Sequence, residues 1–141
     1  MTQQLPFPKV DVFELSDKEI AYFAGLFDGE GSIAVYTNKG DGAARFGITI
    51  GLVNPKVIED LRLAFGGSIY KQVRTGRPVY YWRTFGKRAE LILKILLPYL
   101  RIKREEAELA IAYRQYNYRQ GFQVSKQRIV DKVHSLRHPQ F

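Results

Sequence analysis

Two periods alternate along the chain. From Ser16 to about Asp28 the apolar residues Ile20, Phe23 and Phe27 recur three and four positions apart, which puts them on one face of a helix directed into a core. Ser16-Asp17-Lys18-Glu19 reads as a capping box at its start: a serine oxygen accepts from the backbone of Glu19 while that glutamate reaches back. Gly29 and Gly31 are expected to end the helix. The period then drops to two. Ser32 to Asn38 sets Ile33 and Val35 against Ser32, Ala34, Tyr36 and Asn38. Arg45 to Val53 sets Phe46, Ile48, Ile50 and Leu52 against Arg45, Gly47, Thr49 and Gly51, with a turn at Lys39-Gly40-Asp41-Gly42 between the two. One greasy face and one small, polar or basic face is the pattern of an antiparallel sheet covered on one side.

Asn54-Pro55 breaks the second strand, and Lys56 to Phe65 reads as a short helix stopped by Gly66-Gly67. A second hairpin follows: Ser68 to Arg74, a turn at Thr75-Gly76-Arg77-Pro78, and Val79 to Phe85. Its phase places Ile69, Val73 and Trp82 in the core and sends Tyr70, Gln72, Arg74, Tyr81 and Arg83 outward. Lys87 to Leu97 and Lys103 to Arg119 read as helices separated by Pro98. The order α-ββ-α-ββ-α-α defines an α+β fold. It divides into an extended leader over 1–15 with Pro6 and Pro8, a single core domain over 16–119, and a basic, helical tail over 120–141, after a break at Gly121 and ending at Pro139. The strand-strand-helix unit occurs twice without sequence identity between the copies.

Composition narrows the function. With 141 residues, 45% of them hydrophobic, the chain is one domain with a real core rather than a disordered chain. Its longest apolar stretch, Ile92 to Leu97, is broken by Lys94 and too short to cross a membrane. Met1 to Val10 lacks the basic start and apolar run of a signal peptide, and Asp11 and Glu14 argue against a transit peptide. The expected location is a prokaryotic cytoplasm, or an organelle whose own genome encodes the chain. The absence of cysteine removes disulfides, thiolate catalysis and Cys-based zinc sites. Lysine and arginine total 22 against 14 acids, a net charge of +8, which favours a polyanionic partner such as nucleic acid.

The first helix carries the chemistry. Ala21, Gly25 and Gly29 lie four apart and share a face. Small residues let a second helix approach closely. Glycine inside a helix costs roughly 1 kcal/mol against alanine, and close helix contact would offset that. The helix delivers Asp28 and Glu30 to its C-terminal end, where the dipole is negative and acids point to a cation. A capped helix with two solvated acids explains each feature singly, but not the small face, the acids and the immediate strand together. The segment Phe23-Ala24-Gly25-Leu26-Phe27-Asp28-Gly29-Glu30-Gly31-Ser32 resembles the LAGLIDADG motif, departing from it at Phe23, Phe27, Gly29 and Glu30. The order of elements from about Ser16 to Tyr118 resembles that family's core. Pro98-Tyr99-Leu100-Arg101-Ile102-Lys103 is similar to the Pro-aromatic-Leu-basic-aliphatic-Lys stretch of its single-motif members.

The resemblance implies an intron-encoded or free-standing homing endonuclease whose sheet forms a saddle over double-stranded DNA. In the family two motif helices pack together and each supplies its second acid to a metal-dependent site. One motif implies a homodimer acting at a long pseudo-palindromic site, with Ala21, Gly25, Asp28 and Gly29 at the seam and Glu30 contributed twice. Phosphodiester hydrolysis needs an activated water, a neutralised phosphate and a stabilised leaving oxygen. Mg²⁺ (or Mn²⁺) supplies all three and prefers carboxylate oxygens. Glu30 is the expected ligand, with the Gly29 carbonyl beside it. Asp28 is the second choice, its role more structural, at the helix end or the seam. Lys103 matches a family lysine near the scissile phosphate, with an ordinary surface lysine at a helix start as the equal alternative. Asn54 falls where homodimeric relatives carry a polar, water-positioning side chain, and Lys56 lies near the place of a basic residue often found just beyond.

A β-ribbon fits the major groove and reads base edges. The free face offers Tyr36, Asn38, Arg45, Thr49, Tyr70, Gln72, Arg74, Tyr81 and Arg83, while Lys39 and Arg77 at hairpin tips suit phosphates. A solvated sheet face is the alternative, and the basic charge and the motif favour DNA. His134 and His138 lack a third ligand and read as solvated. Tyr113, Tyr116 and Tyr118 read as helix packing before base stacking. The glycines from Gly25 to Gly31 follow a helix, the wrong order for a dinucleotide site. Neither a membrane nor a small-molecule substrate is expected. The rival functions are a non-cutting dimeric DNA-binding regulator and an RNA-binding intron maturase, which metal-dependent strand cleavage separates from the nuclease.

Overall fold

The computed structural model describes residues 14–37, 44–118, 131, 132 and 135. Ser16 caps helix α1 (Asp17–Glu30). Its Oγ accepts from the Glu19 N–H at 3.2 Å and the Glu19 carboxylate accepts from the Ser16 N–H at 3.0 Å, which completes the capping box. The helix runs two residues beyond Asp28. Gly29 is helical rather than a stop, and Gly31, at φ −86° and ψ 164°, is the first extended residue. Strand β1 (Gly31–Thr37) therefore leaves the helix with no loop. Close approach requires the glycine, because a Cβ on Gly31 would lie 2.2 Å from the Phe27 ring, which is fully buried.

Strand β2 (Ala44–Leu52) pairs antiparallel with β1. Asn54 then caps α2 (Pro55–Phe65), its side-chain oxygen accepting from the N–H groups of Lys56 and Val57 at 2.8 and 3.3 Å. Pro55 occupies the first helical turn, where its missing N–H costs nothing. Strands β3 (Ser68–Arg74) and β4 (Arg77–Phe85) meet at a two-residue turn, Thr75-Gly76, with φ of 50° and 79°. Two positive φ values match the twist of a tight hairpin. The four-residue turn expected there is corrected: Arg77 and Pro78 belong to β4, opposite Arg74 and Val73. Pro78 is tolerated beyond the β2–β4 ladder, which begins at Tyr80.

The sheet is antiparallel throughout, in the order β1-β2-β4-β3. Helix α3 (Gly86–Leu96) follows β4 directly. A 3-10 turn over Leu97–Tyr99 and the segment 100–103 lead to α4 (Arg104–Tyr118). The expected α+β element order is present, and the helices cover one face of the sheet. Phe23, Phe27, Ile33, Ile48, Ile50 and Trp82 form the centre of the core with Ile58, Phe65, Ile92 and Tyr113. Trp82 satisfies its indole by donating to the Gly66 carbonyl at 2.7 Å. Tyr113 is fully buried, as helix packing requires. Ile69 packs against the core, but Val73 is 59% exposed, a correction to its expected burial. It shares Ile69's face, yet β3 is an edge strand and is exposed from Tyr70 onward, past the helix layer. No helix among the described residues is long and apolar enough to cross a membrane.

The Gly31 junction makes a stability prediction. Gly31→Ala is expected to cost about 1–3 kcal/mol in urea unfolding, the scale of overpacking a filled core, because the Phe27 ring has nowhere to yield. An unchanged unfolding midpoint would place the ring elsewhere.

Candidate active site and nucleic-acid interface

The two acids at the end of α1 have opposite fates. Asp28 is 8% exposed and turned into its own chain. Its Oδ2 accepts from the Arg101 N–H at 2.8 Å, and its Oδ1 accepts from the N–H groups of Ile102 and Lys103 at 3.2 and 3.0 Å. The Lys103 ammonium donates to the Asp28 carbonyl at 2.8 Å. These are bonds to charged groups, the stronger class. They also answer the electrostatic question at this helix end. No basic residue lies in the last turn of α1, and Asp28 draws its compensation from the backbone ahead of α4 and from Lys103. Of the two places expected for Asp28, its carboxylate occupies the helix end and is spent within the chain.

Glu30 is exposed, and none of the hydrogen bonds or ion pairs among the described residues engages it. Two residues from Asp28, it shares the helix end to which Lys103 is fastened. Gly25 and Gly29 are exposed, a Cβ on either would meet nothing within 4 Å, and Ala21 is half-buried. The small face of α1 is thus open to another helix. Among the described residues no group of three His, Cys, Asp or Glu side chains converges as a metal site. An exposed carboxylate at a helix C-terminus is the donor chemistry a hard divalent cation prefers.

The uncovered sheet face forms cross-strand rows. One runs Ser32–Thr49–Arg83–Ser68; beside it lie Ala34–Gly47–Phe85 and Gly51–Tyr81–Tyr70. Tyr36 stands opposite Arg45, Gln72 opposite Val79, and Arg74 opposite Arg77. None of the four strands contains an Asp or Glu, whereas Arg45, Arg74, Arg77 and Arg83 all lie in the outward phase. Where β4 runs into α3, an open groove of about 560 Å³ adds Lys87 and Arg88. Partial burial pushes the Arg88 guanidinium below its ordinary pKa.

The rings on this face are ordered. Tyr70 and Tyr81 stack with centroids 4.9 Å apart, and the Arg83 guanidinium lies 4.3 Å from the Tyr70 centroid and 5.5 Å from that of Phe85. Gly47 and Gly51 make room: a Cβ there would lie 2.7 Å from Phe85 and 2.5 Å from Tyr81. Phe85, 56% exposed, was not among the expected face residues, although its parity with Tyr81 and Arg83 was the available signal. Asn54 sits at the foot of β2, where its side-chain oxygen caps α2 and only the amide nitrogen is left to hold a water. Asn38, Lys39, the first hairpin turn, residues 1–13, His134, His138 and most of the tail lie outside the described residues, as do the side chains of Tyr36, Tyr116 and Tyr118.

The family model described as LAGLIDADG endonuclease matches residues 23–117, from the motif through α4. That is more than half of the chain, and the chain belongs to this family. Among solved structures, the homing endonuclease I-CvuI in complex with its target superposes with a TM-score of 0.71 at 19% identity, over 94% of this chain and 87% of that one. The archaeal intron-encoded homing endonuclease I-Vdi141I, complexed with DNA, gives 0.72 at 13% over 89% and 87%. The LAGLIDADG homing endonuclease I-GzeII gives 0.59 at 20%, and there this chain spans 44% of the other. One motif in a chain matched nearly end to end by I-CvuI and I-Vdi141I marks the single-motif type. At these identities the likeness is one of fold. A comparison with curated proteins finds no match.

The Asp28 contacts predict a stability effect separate from any chemistry. Asp28→Ala strands three backbone N–H groups and is expected to cost on the order of 3 kcal/mol in denaturant unfolding. Asp28→Asn keeps an acceptor oxygen and should cost less. Equal, negligible losses in both would mean that the contacts contribute nothing.

Proposed function

We propose that two copies of this chain form a site-specific endonuclease that hydrolyses both strands of double-stranded DNA at a long, pseudo-palindromic site with Mg²⁺ or Mn²⁺. The observation that carries the reading is the division of labour at the end of α1. Asp28 is consumed inside the chain while Glu30 is exposed and unengaged, on a helix whose small-residue face is open. Packing two such faces together brings the two Glu30 carboxylates to one seam. Ala21, Gly25 and Gly29 line that seam.

Each residue then has a physical task. Glu30, with the Gly29 carbonyl, would hold the cation. When bound, the metal supplies charge neutralisation on the phosphate and an activated water. Lys103, anchored at the Asp28 carbonyl, places a positive charge where negative charge develops on the phosphate in the transition state. The Asn54 amide nitrogen donates to a water near the foot of the sheet. Asp28 acts as a positioning residue for both Glu30 and Lys103. The acid-free sheet face lies along the major groove, with Arg45, Thr49, Tyr70, Gln72, Tyr81 and Arg83 toward bases and Arg74 and Arg77 toward the hairpin tip and the backbone.

Two experiments test this. Purified protein is incubated with a plasmid library of random inserts, with Mg²⁺ or with EDTA, and cut ends are sequenced. The wild type should leave paired nicks at a fixed offset within one pseudo-palindromic site, only with metal. Glu30→Gln should bind that site and cut at least about a hundredfold more slowly, the scale of losing one charge-handling group in an active site. Tight binding with no cutting under any divalent metal would leave a regulator or a maturase. In sedimentation analysis Gly25→Leu should turn the dimer into a folded monomer, since the position has open space in its own chain. A Gly25→Leu dimer that still cuts would move the interface off α1.

A further inference from the structure

We propose that Arg83 is the guanine-reading side chain of each half-site, and that Tyr70 and Phe85 are the positioning residues that set it. The inference rests on the DNA-binding reading above and adds which residue chooses a base. Arg83 is the only long side chain in its cross-strand row, where Ser32, Thr49 and Ser68 are all short. It is exposed and overtops its own row. It lies on β4, an inner strand of the sheet, where a ribbon lying in the groove meets base edges rather than the phosphates at its rim.

The guanidinium is held from both sides, 4.3 Å from the Tyr70 centroid and 5.5 Å from that of Phe85. Tyr70 is in turn backed by Tyr81, 4.9 Å away. None of the ion pairs among the described residues takes Arg83, so no carboxylate competes for its donors. An arginine packed on aromatic faces keeps its planar fork free for two parallel hydrogen bonds, which match O6 and N7 of guanine in the major groove. Lysine keeps the charge and lacks the fork. Because the proposed dimer carries Arg83 twice, the preference falls on one symmetry-related pair of positions.

The test measures binding in EDTA, where nothing is cut, on a panel of duplexes carrying each base in turn at every position of the selected site. The wild type should prefer G at one symmetric pair by roughly ten- to hundredfold. Arg83→Lys should flatten that pair to near equality and leave the other positions alone. Phe85→Ala should weaken the same preference and Phe85→Tyr should retain it, with thermal melting confirming that both fold. An unchanged profile in Arg83→Lys overturns the inference, and so does a loss spread evenly over all sequences, which marks a phosphate contact. If the wild type binds no duplex, the DNA reading fails and takes this inference with it.

Discussion

A single carboxylate organises the junction of α1 and α4. Asp28 reaches across 73 to 75 positions of sequence to accept three backbone N–H groups from 101–103. Those groups lie just ahead of α4, in a segment with no ladder of its own to satisfy them, so the carboxylate does what a strand partner does elsewhere. The bonds close the end of α1 onto the start of α4, and Lys103 answers by donating to the Asp28 carbonyl. A charged acceptor in a nearly buried place is stable only with such partners. The geometry around Glu30 is therefore inherited from Asp28, because the residue that follows a fixed helix turn by two positions has little freedom to wander.

The remaining surfaces follow from which sides that arrangement leaves uncovered. The helices occupy one face of the sheet, so the other face is bare, and it carries arginines without a single strand acid. The charge is consequently uneven among the described elements, with 10 of the chain's 14 acids in α1–α4 and none in the strands. The small face of α1 is also bare, and glycine in its middle is a cost the monomer does not recover. Two bare surfaces of different chemistry, one basic and aromatic, one small and flat, match the two partners of the proposed function: a polyanion, and a helix of the same kind.

How much of this was legible in sequence depended on range. The capping box, the period-two strands and the Asn54-Pro55 break are local, and the elements they predict are present within one or two residues, the first helix end being two residues late. Gly29 has the look of a helix stop, whereas the turn out of the helix belongs to Gly31 over Phe27. The second hairpin is tighter than its sequence suggests, since Pro78 has turn chemistry and is instead tolerated in β4 where β2 no longer pairs. Val73 has the parity of a core residue, but parity assigns a face and not the extent of the layer above it. The Asp28 bonds were invisible, because nothing local announces a partner so far along the chain. The family resemblance supplied the motif's meaning; it did not supply the partner of its first acid.

The open face also shows why parity alone undervalues glycine. Gly47 and Gly51 sit on the outward side of β2, and each is the seat of a ring from β4. Without them Phe85 and Tyr81 would be pushed off the sheet, and Arg83 would lose the wall that Phe85 provides. A phenylalanine left more than half exposed forgoes part of the roughly 1.5–3 kcal/mol that burial brings. That deficit is local to a place where a cation, three rings and an absence of strand acids coincide. A partner that removes the ring from water and answers the arginine recovers the deficit, and a base pair in the major groove offers both a flat apolar edge and two acceptors. Glycine on one strand thus decides where an arginine on the next strand points, and in the proposed complex the affinity of the face for DNA and its choice of base would rest on the same packing.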